Sequence, residues 1–480
     1  MSYSLARSVW KNGTCRKEIV LKLGKLDDSE VNSWRQKIKK AKAQRRGSPV
    51  DTDVLTTTSK ELDNVVLEIP TKDVEVSKPK KFTYDDFDRG VDIQSYEEAV
   101  KSAFAEVPDP RSKDNLRYPF YGLLLIILAS TLGGARSISA VHEYSKEKAA
   151  ILCPLLNLER HPSYSSFWWI LVRTNPEILS KAFIKWIELT AEALLGNAER
   201  IIAIDGKTLR GAKKSLIHYV SGYECTKGIL LGQVKTEEKS NEITAIPELL
   251  KIIDVQDAMV TIDAMGCQTK IASDIRERGG HYTIALKGNQ GTLHDEVLNF
   301  FEQARTVSHK EAKCKVSVSE NAGHGRVEKR EVVITQNIKW LDCRADWRDL
   351  TTLIEVNSTR TIGDKTTTEA RYYISSKKMN AKEANTTIRA HWGIENGLHW
   401  AMDVIFNDDD VMANTGYAAE NLGLFRRMAY CILKQETPGG KGRGLATQQR
   451  KAMWNELRVL ELLGKFIKEI SSGGEVYRPN

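Results

Sequence analysis

No apolar run in these 480 residues approaches the length of a membrane-spanning helix. The longest, Tyr121 to Leu132, is about a dozen residues against the roughly 20 that a bilayer requires, so it reads as a buried helix. No charged-then-apolar segment opens the chain, and no secretory signal is expected. Seven cysteines (Cys15, Cys153, Cys225, Cys267, Cys314, Cys343 and Cys431) are scattered without a Cys-x-x-Cys pair. That argues against a disulfide framework and a cysteine zinc site, and points to a reducing cytoplasm. Internal repeats and low-complexity tracts are absent as well.

The composition, 41% hydrophobic over 480 residues, suits a folded, soluble protein of more than one domain. Net charge is +8, and its placement is uneven. The first 47 residues hold 13 Lys/Arg against 4 acids, which leaves the rest near −1. Such a basic segment gains affinity for nucleic acid by releasing counterions from phosphates, with Arg35, Lys39 and Lys40 as candidate contacts. A solvated helix face is the plainer alternative.

Patterning divides the chain into seven stretches, two of which form one domain. Residues 1–46 read as a basic ββα arm: strands at Leu5–Trp10 and Glu18–Leu23 flank an Asn12-Gly13 turn, and Asp28 or Ser29 caps a helix through Trp34 to Ala43. Residues 47–82 are polar, with one apolar run at Val65–Ile69, and read as a linker. Residues 83–199 are mainly helical. Residues 200–312 alternate strands and helices in the order βββαβαβ, a ribonuclease-H-like sheet order in which the first and fourth strands can lie adjacent. A β-rich insertion follows over 313–376, and helical patterning over 377–435 completes the α/β catalytic domain. Residues 436–480 form a C-terminal linker and helices.

Three acids stand out against this frame. Asp205 and Asp263 follow the apolar runs Ile201–Ile204 and Met259–Ile262, so each is delivered at the end of a buried strand, and Glu395 lies in a helical stretch. Anions brought together from separate elements repel one another unless hard cations join them. Two Mg²⁺ or Mn²⁺ ions held there would activate an attacking oxygen and stabilise a leaving one at phosphorus. For an isolated Asp205-Gly206 the plain reading is a turn, and for Asp263 a helix cap; the presence of all three acids favours metal binding. Glu242, Asp295, Glu296 and Asp403 read as surface or capping groups, with Asp403 the best competitor of Glu395.

Other side chains are more ambiguous. His391, Glu395 and His399, at i, i+4 and i+8, share a helix face and could ligate zinc in a hydrolase, although the spacing is not that of zinc peptidases. The histidines could instead orient Glu395 or contact phosphate. Lys287, Asn289 and Gln290 form a donor-rich loop suited to a phosphate backbone, and Lys207 and Arg210 are further candidate DNA contacts after Asp205. Trp392 and Trp400 read as core residues, and Arg426 and Arg427 as solvated arginines of an amphipathic helix.

The runs DPRSKDNLRYP, IIAIDGKTLRG, KSNEITAIPELL, TIDAMGCQTKIA, ALKGNQGTLHDEV, HWGIENGLHWAMDV and AAENLGLFRRMA resemble the H-repeat-associated proteins and their ISAs-type insertion-sequence relatives, which are DDE transposases. The resemblance covers Val107 to about Gly464. It implies a ribonuclease-H-like fold, Mg²⁺-dependent DNA cleavage and strand transfer, and Asp205, Asp263 and Glu395 as metal-binding acids. It also implies terminal inverted repeats and target DNA as partners, a homodimer in a synaptic complex, no membrane, and work on DNA in a bacterial-type cytoplasm or nucleoid. A transposase-derived DNA-binding or regulatory protein is the alternative. The first 80 or so residues are additional to the family layout, and Asn407 to Asp410 stand after Phe406 where the family has a Glu-Asp pair.

Overall fold

The computed structural model describes residues 2–11, 14–25, 65–68, 101–112, 116–156, 158–195, 199–209, 217–236, 242–323, 325–410, 415–436, 443–455 and 458–463. The chain divides into two compact units, Met1–Phe87 and Asp88–Asn480. In the first, strands β1 (Ser2–Lys11) and β2 (Thr14–Lys25) pair antiparallel, and β3 (Val65–Glu68) adds to the free edge of β1. The stretch read as a linker thus contains a strand. Val65 and Val66 are β-branched, and an open sheet edge gives such a run a partner that local patterning does not reveal. The Asn12-Gly13 turn and the helix expected through Trp34 to Ala43, with Arg35, Lys39 and Lys40, lie outside the described residues.

The second unit opens with helices α1 (Phe120–Leu132), α2 (Ile138–Glu147), α3 (Ala149–Leu155), α4 (Tyr164–Arg173) and α5 (Pro176–Leu195). Helix α1 is apolar on all sides and is buried over Gly122–Leu132, as such a helix must be. Its Ser130 and Thr131 hydroxyls donate back to the carbonyls of Ile126 and Ile127, so they are buried without being unsatisfied. Among the described residues, no helix is long and apolar enough to cross a membrane.

A nine-stranded mixed sheet of order β6-β5-β4-β7-β8-β12-β11-β10-β9 follows. Its strands are β4 (Ile201–Leu209), β5 (Ile217–Glu224), β6 (Ile229–Thr236), β7 (Met259–Ile262), β8 (His281–Leu286), β9 (Cys314–Gly323), β10 (Arg326–Thr335), β11 (Thr352–Ile362) and β12 (Lys365–Ser375). Strands β4, β7 and β8 are parallel and the other neighbours antiparallel. Helix α6 (Glu242–Ile252) leads from the edge strand β6 to β7, α7 (Thr269–Glu277) joins β7 to β8, and α8 (Gly291–Thr306) follows β8. The β-rich stretch is a continuation of the same sheet, because β12 pairs directly with β8. Helix α9 (Ala381–Gly393) packs Ala384 and Ile388 against Val332, Ile334, Ile354 and Val356 of β10 and β11. A π-helical turn (Ile394–His399) leads to α10 (Trp400–Val404), followed by α11 (Ala418–Gln435) and α12 (Arg443–Trp454).

Candidate active site

The register of β4 against β7 sets the first two acids. Ile204 lies opposite Ile262, so the next residue of each strand, Asp205 and Asp263, emerges side by side on neighbouring strands about 4.8 Å apart. Asp263 Oδ1 accepts from the backbone N–H of Met265 (3.1 Å) and Gly266 (3.3 Å), which fixes the carboxylate on its own turn; it does not cap α7, which begins at Thr269. Gly206 has no room for a side chain. A Cβ there would collide with the Glu242 carboxylate and lie 2.7 Å from His218 Nε2.

Helix α9 brings the third acid. Asn380 caps it in a reciprocal capping box with Glu383, which anchors its start, and the helix then widens into the π turn that carries Glu395. Glu395 and Asp263 line one cleft of ≈ 340 Å³, together with Lys287, Arg371 and Trp392. Gly397 allows close approach to the sheet, since a Cβ there would sit 2.8 Å from the Tyr223 hydroxyl, itself 2.8 Å from that of Tyr430. Four residues of α-helix overshoot a full turn by about 40°, and the i→i+5 turn removes part of that drift. His391 and His399 therefore both reach the sheet. His391 Nδ1 is 3.0 Å from the Thr261 hydroxyl of β7, and His399 Nδ1 is 3.6 Å from Asp205 Oδ2.

The site carries excess negative charge. Burial pushes Asp205 up to about 7, the Gly206 backbone hydrogen bond opposes this, and repulsion from Asp263, Glu395 and Glu242 adds to it. His399 is pushed down to about 3 by burial and by Lys207, Arg427, His391 and His218, so its contact with Asp205 is not an ion pair at neutral pH. Burial also lowers His391. Lys207 cannot neutralise the acids: its ammonium is 2.6 Å from both oxygens of Asp403. Among the described residues, no group of three or more His, Cys, Asp and Glu is drawn close enough to hold a metal ion as it stands. Hard oxygens around uncompensated charge are nonetheless the donor set that a hard divalent cation takes. Zinc fits less well, because His391 and His399 direct Nδ1 toward β7 and β4.

Several expectations need correction. Glu242 is no surface group: it is buried beside His218, Oε1 to Nε2 2.7 Å, and His218 Nδ1 is 2.8 Å from the Thr208 hydroxyl. Trp392 and Trp400 are not core residues but 37% and 40% exposed, with the Arg371 guanidinium 5.5 Å from the Trp392 ring. The buried face of α9 runs through Ala381, Ala384, Asn385 and Ile388, and Trp392 falls off it. Arg426 and Arg427 are buried, not solvated, and both meet Asp408 of the Asn407–Asp410 run, at 2.7 and 3.4 Å. Asp403 is held by Lys207, so neither is free. In the loop after β8, Asn289 donates to the Ala264 carbonyl (2.7 Å) and Gln290 to that of Cys267 (2.8 Å), which braces the turn bearing Asp263; Lys287 is left exposed at the cleft. Arg210 lies outside the described residues. Six cysteines described are all free.

The transposase DDE domain pattern matches residues 196–432, and the pattern described as DDE_Tnp_1-associated matches residues 101–187. "Putative transposase YncI" of Escherichia coli O157:H7 is 35% identical over 368 residues, 74% of this chain and 92% of that protein. The chain belongs to the DDE transposase family. "H repeat-associated putative transposase YhhI" of Escherichia coli K12 is 32% identical over 359 residues, 72% of this chain and 92% of its own length. Membership makes this a transposase of the insertion-sequence kind, in a class of DNA-cutting and DNA-joining enzymes that uses divalent metal ions. The matched region takes in strands β9–β12 as well as all three acids, and leaves the first unit outside it.

Proposed function

We propose that this transposase cleaves DNA at the terminal inverted repeats of an insertion sequence and joins the freed 3′ ends to target DNA, with Asp205, Asp263 and Glu395 as its metal-binding acids. The carrying observation is the geometry of the three carboxylates: Asp205 and Asp263 follow adjacent residues of two neighbouring parallel strands, and Glu395 lines one cleft with Asp263 although it comes from a separate helix. The strand order, three antiparallel strands followed by two parallel ones beside the first, supports a ribonuclease-H-like domain over 200–312 and 377–435, with 313–376 as its β extension. Residues 83–199 are the associated helical domain in this reading, and 1–46 a DNA-binding arm.

Two Mg²⁺ or Mn²⁺ ions bound by these acids would activate the attacking oxygen and stabilise the leaving one. The chain's own contribution is position. Asp263 is held by its turn, His391 ties the Glu395 helix to β7, and His399 holds that helix against Asp205. Lys287 and the exposed Trp392, at the rim of the cleft, are placed to meet a phosphate and a base. Pairing two element ends calls for more than one protomer, so a homodimer on DNA belongs to the proposal.

The full chain, mixed with duplex carrying the element end and Mg²⁺, should nick it. Asp205→Asn, Asp263→Asn and Glu395→Gln should each abolish nicking while leaving DNA binding; nicking that survives all three changes would exclude this site.

A further inference from the structure

The sheet extension β9–β12 has two faces of opposite charge. Side chains alternate along a strand, and residues directly opposite in register share a face. On the face that packs α9, the registers place six cations, Lys315, Arg326, Arg330, Arg360, Lys365 and Arg371, against two acids, Glu328 and Glu369. The other face holds one cation, Lys329, against Glu320, Glu331 and Glu355. Solubility alone would not sort the signs in this way. The basic face also continues the candidate active site, for Glu369 and Arg371 line the same cleft as Asp263 and Glu395.

Along that face the cations differ in how far they are neutralised. Close to the cleft, Arg371 is paired with Glu369 (2.8 Å) and Arg330 with Glu328 (3.2 Å). Further out, Arg326, Arg360 and Lys365 are exposed and form no ion pair with another described residue. From Arg371 to Lys365 is six residues of strand, about 20 Å, or roughly six base pairs of rise. A sheet face that carries cations over that distance, unpaired at its outer end, matches the backbone of a duplex and reads no sequence by itself.

The geometry points to the basic face of β9–β12 as the track for the DNA duplex flanking the scissile phosphate, gripped through its backbone by Arg326, Arg360 and Lys365. This rests on the proposed function for what lies in the cleft. A second copy of the chain is the competing occupant, and the same experiment separates them.

The test measures binding of the full chain to duplex carrying the element end across about 50 to 200 mM salt, with Arg326→Glu/Arg360→Glu/Lys365→Glu beside wild type. Losing three phosphate contacts should flatten the log–log salt slope by about 2–3 and weaken binding. The milder Arg326→Gln/Arg360→Gln/Lys365→Gln should do nearly the same, which guards against misfolding, and Lys329→Glu on the other face should leave the slope as it is. Duplex trimmed to about three base pairs beyond the scissile position should bind wild type and triple variants alike, since it cannot reach the outer cations. Equal slopes on long duplex, an equal loss from Lys329→Glu, or a shift in sedimentation without a change in DNA binding overturns the track. The nicking assay keeps the two readings apart: nicking by wild type with equal slopes removes the track alone, whereas differing slopes without nicking leave the track and remove the chemistry.

Discussion

Two clusters of charge, one buried around Asp408 and one half-buried around Asp205, sit in the same fold and are resolved in opposite ways. Around Asp408 opposite charges meet: Arg426 and Arg427 pair with its carboxylate, Arg427 also donates to the Gly423 carbonyl (2.8 Å), and Arg426 to that of Arg136 (3.1 Å). Around Asp205 the opposite holds, since Asp263, Glu395 and Glu242 all repel it and the nearest lysine is tied to Asp403. A buried charge matched by partners inside the chain locks helices together. One left unmatched is a standing demand for something from outside.

That contrast predicts different failures. Asp408→Asn should be the most damaging single change, leaving two buried guanidiniums without an anion at a cost of about 3–5 kcal/mol, read from the denaturant midpoint. A smaller loss would mean that the arginines find other acceptors and that the cluster is less closed than described. His399→Ala should lower the midpoint less than Asp408→Asn does and lower activity or metal affinity by roughly 10–100-fold, the usual effect of a group that orients a ligand. Titrating Mg²⁺ against nicking checks this, and an unchanged metal dependence would detach His399 from the site.

The subtlest effect concerns pH. Asp205 is held near 7, above the ordinary carboxylate value near 4, so the metal-free folded protein binds that proton more tightly than the unfolded chain. The associated stability is complete below about pH 4 and is lost as pH rises through about 7. Thermal melts of metal-free protein should show this decline, Asp205→Asn should flatten it, and Mg²⁺ should stabilise more at about pH 8 than at about pH 5. A metal-free melt independent of pH across this window would mean that Asp205 is better solvated than its place beside β7 implies.

Much of the unmatched cluster was legible from local pattern. Apolar runs ending in acids located Asp205 and Asp263, and the order of strands and helices placed them on adjacent strands, because burial of a parallel strand writes itself into consecutive residues. The matched cluster was not legible. Arg426 and Arg427 look like the polar side of α11, but the contacts that bury them, Asp408, the Arg136 carbonyl and the Tyr219 ring, come from elsewhere in the chain. Glu242 was missed for the same reason: its partner His218 is 24 positions away on β5, and Gly206 was the one local hint that something large stands behind Asp205. Trp392 and Trp400 show the reverse error, for hydrophobicity does not say which side of a helix faces the core.

The π turn of Ile394–His399 makes the site a matter of counting as much as of chemistry. An extra residue is looped into one turn, and that slack is what lets His391 engage β7 while His399 engages Asp205. Exchanging side chains within the turn changes what is presented at each place. Removing one residue would change the phase of everything after it, swinging His399 by about 100° and parting the helix from one of the two strands it joins.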